Sequence, residues 1–110
     1  VNVGGGSTKS GVMPEDALQL ARAVVQLPRL RLRGIMSIPD EAPDHAGQLA
    51  VHLRAREVFD MLRAQGGAGF EGFDTLSLGM TGDLEAAIAA GSTMVRVGSG
   101  IFGARDYASR

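Results

Sequence analysis

Residues 74–103, DTLSLGMTGDLEAAIAAGSTMVRVGSGIFG, limit the possible folds more than any other stretch. Residues 75–78 are apolar and β-prone, and Gly79-Met80-Thr81-Gly82 reads as a break after them. Residues 83–90 are rich in alanine and other helix formers, with Gly91 where a helix stop is expected. Residues 93–97 form a second apolar strand carrying one charge, Arg96, before Gly98-Ser99-Gly100 turns the chain again. Two strands joined through one short helix make a βαβ unit, so the strands should run parallel. Both glycine turns then fall at the carboxyl ends of the strands, the edge where such sheets bind ligands. Thr81, Gly82, Gly98, Ser99 and Gly100 supply amides, hydroxyls and little bulk, the ingredients of a phosphate cup. Ordinary βα turns would use the same glycines only for backbone freedom. Two such turns on adjacent strands, with a strand-borne arginine beside them, favour a site.

The rest of the chain repeats this alternation. Val1, Asn2 and Val3 are β-prone, and a glycine-rich loop with Lys9 and Ser10 follows. Pro14, Glu15 and Asp16 open an amphipathic helix over 14–27 that Pro28 ends. Residues 30–38, LRLRGIMSI, read as a strand and PDEAPD (39–44) as a solvated acidic loop. Residues 45–65 read as a long helix with Val51, Ala55, Val58 and Leu62 on one face and Phe59 beside them. Gly66, Gly67 and Gly69 end it, and Phe70 and Phe73 are expected to pack under the next strand. The order β-α-β-α-β-α-β implies a parallel α/β architecture. Four such strands suit either a small open sheet or half of a (β/α)8 barrel, whose last two βα loops commonly hold phosphate.

Composition excludes several classes. The 110 residues have a formal net charge of −1 and contain no cysteine, so a thiolate metal site, disulfide or cysteine nucleophile is ruled out. Near-neutral charge and 5% aromatic residues argue against nucleic acid as the main partner. No apolar run is long enough for a membrane helix. His45 and His52 stand seven apart on one helix without a matching carboxylate pattern, which favours surface or helix-end roles over a metal site. Ser37 and Ser77 lack a histidine partner for a hydrolase triad. Asp83 and Glu85 read as helix N-terminal charges.

Three runs carry a family resemblance: LPRLRLRGIMSIP (27–39), DTLSLGM (74–80) and EAAIAAGSTMVRVGSGIFGARDY (85–107). They resemble the pyridoxal phosphate homeostasis proteins, which have the alanine racemase N-terminal barrel fold. The opening VNV and STKSGV segments resemble that family's fifth strand and following loop. The resemblance implies that residues 1–110 are a partial domain, strands five to eight of a pyridoxal 5′-phosphate-binding (β/α)8 TIM-type barrel. It implies a cytoplasmic, non-catalytic carrier of pyridoxal 5′-phosphate that buffers the free cofactor, with no catalytic residue and no metal. In the family the cofactor is a Schiff base on a lysine near the barrel's start, in a segment this chain lacks; Lys9, its one lysine, reads as a loop residue. By motif, Arg96 is the arginine facing the pyridine nitrogen, Thr81, Gly98 and Ser99 contact the phosphate, and Met80 and Gly82 line the same turn. Asn2, Lys9 and Ser10 are weaker candidates. Gly82 stands where the family usually has a longer polar residue. An arginine opposite the pyridine nitrogen keeps it unprotonated, which makes the ring a poorer electron sink and suits storage. The competing readings are a fragment of a racemase- or decarboxylase-like enzyme using the same cofactor, and a half-barrel that binds sugar phosphates. The expected partners are the missing N-terminal half of the barrel or, through open strand edges, a second copy.

Overall fold

The computed structural model describes residues 1–4 and 10–104. Lys9 and the Arg105-Asp106-Tyr107 part of the 85–107 motif lie outside the described residues. Three parallel strands, β1 (Gly34–Met36), β2 (Thr75–Met80) and β3 (Met94–Arg96), form one sheet in the order β1-β2-β3. The helices α1 (Ala17–Val24), α2 (His45–Gln65), α3 (Leu84–Ala89) and α4 (Ser99–Phe102) intervene, with short 3-10 turns at Pro14–Asp16 and Thr81–Asp83. The chain is therefore α/β with a parallel sheet. No described helix is long and apolar enough to cross a membrane.

The long helix has the bounds expected for it. Asp44, read from sequence as part of a solvated loop, caps it: its Oδ1 accepts from the Gly47 amide at 2.7 Å. Ala55, Val58, Phe59 and Leu62 are buried against Leu76 and Leu78 of β2. Phe73 stacks on Phe59 with ring centroids 5.1 Å apart and Phe70 lies beside it, so both aromatics support β2.

Four expectations need correction. The segment at Val1–Val3 is not a strand of this sheet: the Val1 nitrogen donates to the Met36 carbonyl, but the Asn2 amide turns to Val12 in its own loop. The first helix is α-helical only to Val24 and ends in turns before Pro28. The second expected strand shrinks to Gly34–Met36, because its neighbour begins only at Thr75; before it the Arg33 carbonyl takes the Asp74 and Thr75 amides at the start of that neighbour, and Arg29 sits at φ 67°. Conversely β2 runs through Gly79 to Met80, where a break was expected. Gly79 permits this with φ 97° at an irregularity in the β2–β3 register between Ser77 and Met80.

Side chains fill that irregularity. Thr93 Oγ1 accepts from the Leu76 amide at 2.8 Å, and Ser92 Oγ accepts from the Leu78 amide at 3.2 Å. These hydroxyls occupy main-chain positions that β3 cannot reach, and so tie β3 to β2.

Candidate functional site

The turn after β2 and the turn after β3 meet. The Gly100 amide donates to Thr81 Oγ1 at 3.0 Å, which leaves the Thr81 hydroxyl proton free to point elsewhere. The contact is close: a Cβ added at Gly100 would lie 2.9 Å from Thr81 Cγ2 and 3.0 Å from Val97 Cγ1. At Gly82 and Gly98 an added Cβ would meet nothing within 4 Å. The two turns thus press together at Gly100 and stay open on either side. The helices that follow them, α3 and α4, are six and four residues long. Individual amides and hydroxyls, rather than a long helix dipole, must therefore do any anion binding here.

Arg96 pairs in register with Met80 and reaches across β2 toward β1. Its Nη2 donates to the Ser37 carbonyl at 2.9 Å. The guanidinium thus bonds main chain rather than Asp83, whose carboxylate is engaged by the Met80 amide and His52. Arg96, Thr81, Gly98, Ser99, Met80 and Gly82 all line one cleft of about 1140 Å³ at this edge of the sheet. Asn2, by contrast, lies with the opening segment outside that lining.

The cleft holds an unusual set of polar atoms. Ser37 Oγ, His52 Nδ1 and Arg96 Nε are buried and have no hydrogen-bond partner among the described residues, and all three residues line the cleft. A native interior leaves few polar atoms unpaired, so three around one cavity point to a polar occupant or ordered water.

His52 overturns the surface role expected for it. It sits within α2 at 1% exposure, and its Nε2 lies 2.7 Å from Asp83 Oδ2. The other Asp83 oxygen accepts from the Met80 amide at 2.8 Å. Burial pushes the Asp83 carboxyl up, but the Met80 amide and His52 outweigh it and hold the group below the usual carboxylate range. Sequence spacing could not reveal this pair, because its members are 31 positions apart on different elements.

Comparison with known proteins places the chain. The family model described as alanine racemase, N-terminal domain, matches residues 1–106. Curated relatives named pyridoxal phosphate homeostasis protein include one from Pseudomonas aeruginosa, 52% identical over 107 residues, covering 97% of this chain and 44% of the relative. Another, from Escherichia coli, is 46% identical over 110 residues, covering all of this chain and 45% of the relative. The chain thus spans less than half the length of these relatives. Among solved structures, an unknown protein from Bifidobacterium adolescentis superposes with TM-score 0.84 at 39% identity, over 93% of this chain and 40% of the other. PipY from Synechococcus elongatus, solved with PLP bound, superposes with TM-score 0.75 at 31% identity, over 87% of this chain and 44% of the other. The parallel sheet described above is therefore a segment of a known barrel, and the chain belongs to the alanine racemase N-terminal domain family.

Proposed function

We propose that residues 1–110 are part of a pyridoxal 5′-phosphate-binding barrel domain that serves cytoplasmic cofactor homeostasis as a carrier. The observation that carries the reading is the Gly100–Thr81 hydrogen bond, which puts both glycine turns within reach of one ligand. The residues present fit the group. Thr81, Gly82, Gly98 and Ser99 offer hydroxyls, amides and open space for a phosphate dianion. Arg96 offers a buried, unpartnered Nε–H beside them for the ring. The names of the relatives and the PLP-bound neighbour support the choice of cofactor.

Each residue's part follows from its chemistry. The phosphate accepts from the two turns, with Met80 beside the first of them. The Arg96 guanidinium is always charged and donor-only, so it holds the pyridine nitrogen as an acceptor. When bound, the cofactor supplies a reactive aldehyde; this chain's residues bind, orient and desolvate it. The open strand edges take the rest of a barrel or a second copy.

Equilibrium dialysis with pyridoxine 5′-phosphate tests the reading, since that analogue has no aldehyde to react with stray amines. Saturable binding that inorganic phosphate displaces is expected. Arg96→Ala should weaken it roughly tenfold, the size of a lost charge-assisted hydrogen bond. Absence of binding, or equal binding by the variant, would count against the site as drawn.

A further inference from the structure

We infer that His52 is a positioning residue for the phosphate seat, acting through Asp83. The inference rests on the cofactor reading above and goes beyond it, because His52 touches neither glycine turn directly. Its place is unusual. It lies on a helix that otherwise buries Ala55, Val58, Phe59 and Leu62, and a buried imidazole needs polar partners to offset its desolvation. It finds one at Asp83, 2.7 Å away. Asp83 is the last residue of the turn Thr81–Asp83, and its second oxygen holds the Met80 amide at 2.8 Å. Thr81, between those two anchor points, receives the Gly100 amide. Hydrogen bonds thus tie the middle of α2 to both ends of the first glycine turn, and the Thr81 hydroxyl within that turn takes an amide of the second.

Those bonds matter because little else fixes the turns. Met80, Thr81, Gly82, Gly98, Ser99 and Gly100 are all exposed and none belongs to the hydrophobic core. Polar contacts must set their geometry, and the spacing of donors around a phosphate tolerates little error. Asp83 also brings a carboxylate to the rim of a seat for an anion, an electrostatic cost. A group that served only as a nearby charge would not be kept there; one that clamps the Met80 amide on one side and a buried imidazole on the other has a structural reason to stay.

The test compares ligands with and without phosphate in the full chain. His52→Leu keeps the volume and loses the donor to Asp83; His52→Gln keeps a donor at similar reach. The probes are inorganic phosphate, pyridoxal 5′-phosphate and pyridoxal. His52→Leu should weaken both phosphate-bearing probes roughly tenfold, leave pyridoxal within about twofold, and be rescued by His52→Gln. If His52→Leu does not fold, Asp83→Ala, on the more exposed partner, should give the same split between probes. A His52→Leu or Asp83→Ala chain that binds phosphate as the parent does would overturn the inference and leave the cofactor reading standing. Equal loss for all three probes would overturn it too, marking His52 as a core residue only. Failure of the parent chain to bind any phosphate-bearing probe would remove the seat and this inference with it.

Discussion

At the scale of single residues, Asp83 carries more than its position suggests. A carboxylate at a helix start is normally worth a modest dipole interaction. Here its oxygens are divided between the Met80 amide and His52. Its pKa is lowered in the fold, although burial works the other way. The charged form is therefore the stabilising one. Its contribution is present above the unfolded aspartate value of about 3.9 and is lost as pH falls through the lower folded value. Asp83→Asn keeps the shape without the titration. It should be less stable than the parent near neutral pH in urea melts, and the gap should narrow as the melts are repeated toward pH values below about 3. A gap that stays constant over that range would contradict the account.

Arg96 makes a second point at this scale. Its type and its place on a strand were legible in the sequence, and so were Met80, Thr81, Gly82, Gly98 and Ser99, which line the cleft with it among others. Its partner was not, because Ser37 offers a main-chain carbonyl, which every residue has. His52 failed for a related reason: a histidine on a helix looks the same whether buried or not, and only the tertiary fold brings Asp83 to it. Ser92 and Thr93 likewise read as a polar pair before a strand, yet their hydroxyls replace main-chain donors and acceptors along β2.

At the scale of elements, periodicity located α2 to the residue and found β2, α3 and β3 within a few positions. Elements with a strong apolar stripe and a clear cap were readable. Boundaries set by pairing were not. β1 begins only at Gly34 because its partner β2 begins at Thr75, and β2 continues through Gly79 because a register irregularity absorbs the glycine. Among the described residues β1 and β3 bond no further strand on their outer sides, apart from the Met36 carbonyl that the Val1 nitrogen takes, and Met36, Met94 and Val95 are exposed. Unpaired edges with apolar side chains invite pairing with another chain. We expect sedimentation velocity of residues 1–110 to show mass rising with concentration, whereas a concentration-independent monomer would contradict that expectation.

At the scale of the whole molecule, the chain is an open slab. Its Cα radius of gyration is 15.2 Å with extents of 48 × 31 × 26 Å, against about 13 Å for a closed domain of this size. Ile101 and Phe102 are 69% and 85% exposed. That shape suits a segment of a barrel, in which further strands would cover these groups. The cleft lies at the carboxyl edge of the strands, where barrels of this kind place their ligands, and its six candidate cofactor residues come from β2, β3 and the turns after them. The most direct test of the central claim is a ¹H–¹⁵N NMR titration of this chain with pyridoxine 5′-phosphate. The account predicts saturating shifts of the Thr81, Gly82, Gly98 and Ser99 amides and of Arg96 Nε–H, all at one dissociation constant. Shifts confined to other residues, or to one glycine turn without the other, would contradict it.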